Sequence, residues 1–267
     1  PIFFLHPPAG KPDPLWSRGL GDVYKRQVAY RSYDQVAGNW HDHTWEQVDR
    51  EVARWQTALT KEGLVTGDRV AIMSKNCPEW VIFDQAALGL GLVVVPLYTD
   101  DRAENAAYIL GDSGARLLLL EDPKQWQPLK ELRAQMGGLF RVITIHPFEN
   151  FTKDAMNVDL SALCDWLPKE AGEAQHANHG PNDLATIMYT SGTSGRPKGV
   201  MLSHHNLLTN ANSCLQIVSV SQDDLFLSFL PLSHAFERTV GYYLPVMTGA
   251  TVAYARSIQH LQEDLIS

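Results

Sequence analysis

At 267 residues the chain is long enough to bury one large core or two medium ones. Its 45% apolar and 19% charged residues are the proportions of an ordinary soluble globular protein, not of a disordered or fibrous one. A net charge of −8 and a pI near 5.6 withhold electrostatic support from a nucleic-acid partner.

Residues 1–27 contain five prolines and no sustained periodicity, and 19–27 (GLGDVYKRQ) resemble a translated adapter found at the ends of environmental sequence assemblies. This segment is expected to be a non-native or disordered leader, with one partial domain over 28–267. The first ten residues lack the basic start and continuous apolar core of a signal peptide. No apolar run approaches the ~20 residues of a membrane-spanning helix. At Thr44 the pattern turns helical: Gln47, three residues on, completes a capping box. Trp45, Val48, Val52, Trp55 and Leu59 then follow at spacings of three and four, a single helical stripe that Gly63 ends.

Strand and helix signals alternate from there. A strand is predicted over 69–73, a helix from Pro78 to about Gly89, and a strand over 92–97, whose unbroken β-branched run suits burial on both faces. Helix over 103–111, strand over 116–120, helix over 123–136 and strand over 141–145 complete the alternation. The order predicts an α/β domain with a mainly parallel sheet. Residues 168–181 are polar and rich in Ala, Gly and Glu, and are expected to be a surface connection between two subdomains. The chain lacks an initial Met and stops at Ser267 within an amphipathic pattern, IQHLQEDLIS, so it is expected to be a fragment.

The chemistry concentrates after the apolar strand 184–189. Residues 191–198 (SGTSGRPK) hold two serines, one threonine, two glycines, an arginine, a proline and a lysine. Glycines let successive N–H groups turn toward one centre, an anion nest. The hydroxyls of Thr190, Ser191, Thr193 and Ser194 add donors, and Lys198 adds a mobile positive charge that a polyphosphate would neutralise. The loop is not G-x-x-x-x-G-K-[ST]: the fifth residue after Gly192 is Pro197, and 200–202 reads as a strand rather than a helix. The bland alternative, a hairpin turn without a ligand, rarely uses so many hydroxyls together with a lysine.

YTSGTSGRPKGV (189–200) resembles the signature loop of the AMP-binding, adenylate-forming superfamily, and VAIMSKNCPEWVIFDQAALGLGLVVVPLY (70–98) is similar to the early part of the same family. The resemblance covers 28–267. It implies stacked α/β subdomains of an acyl-CoA synthetase-like N-terminal domain, truncated before the barrel and C-terminal lid are complete. It implies that Thr190, Ser191, Gly192, Thr193, Ser194, Gly195 and Lys198 hold the ATP phosphates, with Thr190 also approaching Mg²⁺. A carboxylate would attack the α-phosphorus as pyrophosphate leaves, and the thiol of CoA would then attack the acyl-adenylate.

FLPLSHAFERTVGYY (229–243) is similar to the long-chain fatty acyl-CoA synthetase version of a segment lining the acyl pocket. The resemblance implies that His234 and Phe236 line that pocket, whereas the bare sequence favours a buried core histidine at a helix start. Leu227, Phe229, Leu230 and Tyr242 would add apolar surface, and are equally good core. Glu237 and Arg238, being sequential, do not face each other on a helix; they pair with other elements, or Arg238 is solvated. His204 and His205 suit capping or packing. His41 and His43 have ligand-like spacing without a supporting carboxylate or thiol cluster. Asp223–Asp224 reads as a turn. Cys77, Cys164 and Cys214 are scattered and read as small buried hydrophobes in a reducing compartment.

The family's tyrosine–glycine–x–threonine–glutamate segment, ribose-binding aspartate, hinge and catalytic lysine do not occur in this sequence. The isolated chain is therefore expected to form no thioester. The implied substrates are a fatty acid, ATP and CoA, without nucleic acid. The implied location is the cytoplasm, with peripheral association at the inner face of the membrane. A medium-chain or aryl-CoA ligase, or a non-catalytic nucleotide-binding derivative, is the competing expectation.

Overall fold

Short β-branched runs and amphipathic stripes alternate closely enough to build two sheets, which a computed structural model describes over residues 25–148, 158–178, 180–190 and 195–266. A hairpin, β1 (Val28–Asp34) and β2 (Asn39–Thr44), leads into α1 (Trp45–Lys61). The alternating region holds β3 (Arg69–Met73), α2 (Pro78–Gly89), β4 (Val93–Pro96), α3 (Ala103–Ser113) and β5 (Leu117–Leu120). It continues through α4 (Trp126–Lys130), β6 (Arg141–Thr144), β7 (Asp159–Ala162) and α5 (Leu163–Trp166). Next come β8 (Leu184–Thr190), β9 (Lys198–Ser203) and α6 (His204–Leu215). The last part runs β10 (Leu225–Ser228), α7 (Ala235–Glu237), a π-helical turn Arg238–Tyr243, α8 (Leu244–Thr248), β11 (Thr251–Tyr254) and α9 (Leu261–Asp264).

Seven strands form one sheet in the order β7-β6-β5-β3-β4-β8-β9, parallel throughout except for the antiparallel edge strand β9. Four form the other in the order β10-β11-β1-β2, with only β2 antiparallel. Alternate residues of the seven-stranded sheet serve two separate cores, as the period of a strand requires. Val70, Ile72, Leu117 and Leu119 pack with α1, α2 and the inner face of the four-stranded sheet, including Tyr30, Val252 and Tyr254. Ala71, Met73, Leu118 and Leu120 pack with α3 and α4 on the opposite face. The two sheets therefore share a helical layer. α2, buried around its whole circumference, lies in it, which explains why its sequence is apolar without a polar stripe.

The capping box at Thr44 is present: Gln47 N–H donates to Thr44 Oγ1 at 3.3 Å and Thr44 N–H to Gln47 Oε1 at 2.7 Å. The five stripe residues of α1 are all buried, and Pro78 begins α2. The predicted helix over 123–136 is instead a 3₁₀ turn, the five-residue α4 and a second 3₁₀ turn. Pro128 has no N–H to give, so a helix can start around it but not run through it. Sequence signals do not predict β1, β2, β7, β10 or β11. The coil over 168–178 also differs from expectation: it returns the chain from β7, at one edge, to β8 within the same sheet. The four-stranded sheet takes its strands from both ends of the chain, so the boundary between sheets does not fall at that coil.

Among the described residues no helix is long and apolar enough to cross a membrane.

Leu119, fully buried in β5, faces the core between the sheets. Leu119→Ala is expected to cost about 2–5 kcal/mol through lost burial and the cavity it leaves, read as a lowered urea midpoint.

Candidate active site

The parallel strands β3 and β4 are neighbours, but their outgoing helices α2 and α3 pack on opposite faces of the sheet. The two departing loops must diverge, leaving a crevice at the carboxyl ends of the strands, where open α/β sheets bind ligands. A cleft of about 310 Å³ lies there, with Ser74, Lys75 and Asn76 after β3 and Thr99 and Asp100 after β4 on one wall. The other wall comes from the parallel pair of the second sheet, with Ser228, Phe229, Pro231 and Ser233 from β10 onward and 255–259 after β11. Asn76 joins the walls. Its Nδ2 donates to Ser228 Oγ at 2.9 Å and to Leu230 O at 2.6 Å, and its Oδ1 accepts from Leu232 N–H at 2.9 Å.

β8 lies next to β4 and parallel to it, so Thr190, at its end, leaves from the same carboxyl edge. β9 returns antiparallel with Thr190 opposite Lys198, and both side chains are exposed. The exit from the loop is thus a strand, as expected. Gly195 has φ +91°, a left-handed conformation that glycine adopts without steric cost. Gly199 is needed for another reason: a Cβ there would sit 2.8 Å from Ile187 Cγ2 and 3.1 Å from Tyr189 Cζ. Tyr189 OH donates to Asp112 Oδ2 at 2.6 Å, and the Arg196 guanidinium lies 5.5 Å over the Tyr108 ring, so both limbs of the hairpin lean on α3. Burial, reinforced by Asp112, raises the Tyr189 phenol well above its ordinary range and keeps it a donor. Ser191, Gly192, Thr193 and Ser194 lie outside the described residues.

His234 is exposed, not a core histidine. It is the N-cap of α7, with Nδ1 accepting from Phe236 N–H at 3.2 Å. Phe236 is 56% exposed, and Phe229 and Leu230 also reach solvent, while Leu227 is half-buried. Of the two readings open to it, Tyr242 takes the core. It is fully buried, its hydroxyl donating to Asp84 Oδ2 at 3.0 Å and bonded also to Gln85, so it offers no surface to a ligand.

Arg238 pairs with other elements and is not solvated. It is 1% exposed and paired with Asp84, itself fully buried in α2. Its Nη1 donates to Thr186 Oγ1 at 2.8 Å, and its guanidinium lies 5.3 Å over Trp80 and 5.6 Å over Tyr243. Tyr243 OH donates to Asp84 Oδ2 at 3.1 Å. Burial pushes the Asp84 carboxyl up, opposed by the guanidinium and the tyrosine hydroxyls. Apolar periodicity carries no trace of this cluster; the signal available was a charged pair, Glu237–Arg238, followed after three residues by two tyrosines.

The remaining polar residues are structural. Ser203 caps α6 in a box with Asn206, and His204 is buried just behind it. Asp224 closes a turn by accepting from Ser221 N–H at 2.7 Å. Cys164 is exposed and Cys77 and Cys214 are half-buried, so the three are not uniformly core residues. His41 and His43 are edge to face at 4.6 Å, but among the described residues no group of three or more His, Cys, Asp or Glu could hold a metal ion.

The family model described as AMP-binding enzyme matches residues 22–266. Fatty acyl-CoA synthetase A of Dictyostelium discoideum is 35% identical over 216 residues, covering 78% of this chain and 32% of that protein. The chain thus spans about a third of the length of this curated relative. Among solved structures, Mycobacterium tuberculosis fatty acyl CoA synthetase superposes with a TM-score of 0.74 at 26% identity, over 91% of this chain and 45% of that one. ATP-bound MatB from Rhodopseudomonas palustris superposes with a TM-score of 0.72 at 25% identity, over 88% and 43% respectively. These matches agree with the α/β architecture described above.

Two outcomes are expected from the electrostatics of the fold. Asp84→Asn leaves the Arg238 charge buried without its counter-ion and should cost about 3–5 kcal/mol in chemical denaturation. His43, half-buried against Ser32 Oγ at 2.9 Å, is held down to about 4 by burial and by nearby His41. The unfolded chain titrates this group near 6.5, so it binds the extra proton first on acidification. His43's contribution to stability is therefore complete above pH 6.5 and is lost as pH falls toward 4. His43→Gln should flatten that part of the stability–pH curve, and the His43 ring resonances should titrate near pH 4.

Proposed function

The chain belongs to the AMP-binding enzyme family, and on that premise we propose that the whole protein, rather than this chain in isolation, activates a long-chain fatty acid with ATP, first to the acyl-adenylate and then to the CoA thioester. The observation that carries the proposal is the hairpin of β8 and β9, which opens on the same carboxyl edge as the cleft. Similarity to a fatty acyl-CoA synthetase in sequence and to an ATP-bound structure in fold supports the two halves of the reaction. The choice of a long-chain acid rests on the first of these and on the PLSHAFER segment.

The residues fit a polyphosphate. The loop 190–198 contains no acid and two cations; Arg196 is engaged with Tyr108 and Lys198 is exposed. Thr190 and Lys198, opposite each other, would present a hydroxyl and an ammonium to the β- and γ-phosphates, and Gly195 would turn its N–H inward, alongside Ser191, Gly192, Thr193 and Ser194. Mg²⁺ held near Thr190 would disperse the charge of the departing pyrophosphate. The substrate carboxylate oxygen forms a bond to the α-phosphorus while the bond to pyrophosphate breaks. The CoA sulfur then bonds the acyl carbon and AMP leaves with its oxygen. His234 and Phe236, exposed beside Ser233 of the cleft, would face the acyl group. Because long-chain acids partition into bilayers, the proposal carries a cytoplasmic location with peripheral contact at the inner membrane face.

Calorimetric titration with MgATP tests the phosphate end: Lys198→Ala should weaken binding about tenfold, the scale of one charge-assisted contact. Acid-dependent ATP–pyrophosphate exchange by the whole protein tests the other end, with hexadecanoate expected to outpace benzoate. Binding indifferent to Lys198, or exchange driven equally by both acids, would count against the proposal.

A further inference from the structure

Glu237 and Arg238 are consecutive in sequence, yet their side chains reach different sheets. Glu237 Oε1 accepts from Ser228 Oγ, on β10, at 2.7 Å, and Ser228 Oγ in turn accepts from Asn76. The Glu237 carboxyl lies so close over Gly241 that a Cβ there would meet Oε1 at 2.3 Å. Arg238 turns the other way, to Thr186 on β8 and Asp84 on α2. Thr186 uses both capacities of its hydroxyl, accepting from Arg238 and donating to Val94 O, on β4, at 2.6 Å.

The backbone of Arg238 makes the second link. Its N–H donates to His234 O at 3.0 Å, closing the first turn of α7. A single residue therefore touches the segment that presents His234 and, through Thr186, the strand that ends four residues later at Thr190. Strands are stiff over such a length, so a fixed Thr186 fixes the root of the loop. Stability alone does not explain a guanidinium in this position. Taking both charges out of water offsets most of their attraction, and apolar residues of similar volume often serve as well. An apolar contact, however, does not fix direction as hydrogen bonds from a planar guanidinium do.

We infer that Arg238 is a positioning residue that, through Thr186, sets the strand bearing the loop 190–198 in register with the segment bearing His234. The inference rests on the proposal above for what those two ends bind, but the mechanical coupling does not.

Thr186→Val and Thr186→Ser separate this role from simple stability, since both leave the Asp84–Arg238 pair intact and only serine keeps the hydroxyl. In hydrogen–deuterium exchange on the full chain, the valine variant should speed exchange about tenfold in 190–198 and 232–236, the factor expected for one hydrogen bond to a charged group. Exchange in β5 should stay at the wild-type rate, and serine should restore both segments. MgATP affinity should fall with valine and recover with serine. Unchanged exchange in both segments, or an equal increase across the whole chain, would overturn the inference. Wild-type protein that binds no MgATP would defeat the proposed function instead, leaving the exchange pattern to decide the coupling.

Discussion

The buried pair of Asp84 and Arg238 is the constraint on which the arrangement of the two sheets depends. A carboxylate and a guanidinium removed from water must find most of their partners inside the protein, because each group left unpaired adds to the cost of burial. Here the partners come from α2, from β8 and from the π-helical turn. These bonds tie those three elements into one relative placement, while Arg238 Nε is left buried without a hydrogen-bond partner. Trp80 and Tyr243 flank the guanidinium and exclude water that would otherwise compete for its donors.

That placement lets two parallel sheets point their carboxyl edges at a common cleft. Either sheet alone would offer a switch-point crevice with one wall. Asn76 supplies the closure, its amide satisfied by one side chain and two backbone groups across the gap. The π-helical turn serves the same end. Within it Gly241 lies beneath the Glu237 carboxyl, and Tyr242 and Tyr243 both send hydroxyls to Asp84. Polar networks of this kind specify one packing where apolar contacts alone would accept several.

Much of the fold was legible because it is local. The Thr44 capping box, the stripe of α1, the proline start of α2 and the β-branched β4 all depend on residues within one or two turns of each other. The loop 190–198 stood out for a similar reason: hydroxyls, glycines and cations crowd into nine residues, a composition local enough to be noticed without the fold. Strands such as β7 and β11 were not, because four-residue segments acquire strand character from neighbours far away in sequence. Pro128 shows the limit of periodicity, since a proline overrides a stripe that otherwise reads as continuous helix.

The sequence by itself determined the α/β class, the position of the loop 190–198 and its exit into a strand, because composition and short-range spacing act locally. It left open where Arg238 goes, whether Tyr242 faces a ligand or the core, and which wall stands opposite Ser74 and Thr99. Those were decided only by tertiary structure. Each turns on a partner some 50 to 160 residues distant: Thr186 for Arg238, Asp84 for Tyr242, Asn76 for Ser228 and Leu232. A buried charge or hydroxyl has no preferred neighbour in the linear chain. Its place is set by where the fold leaves a group able to complete its hydrogen bonds.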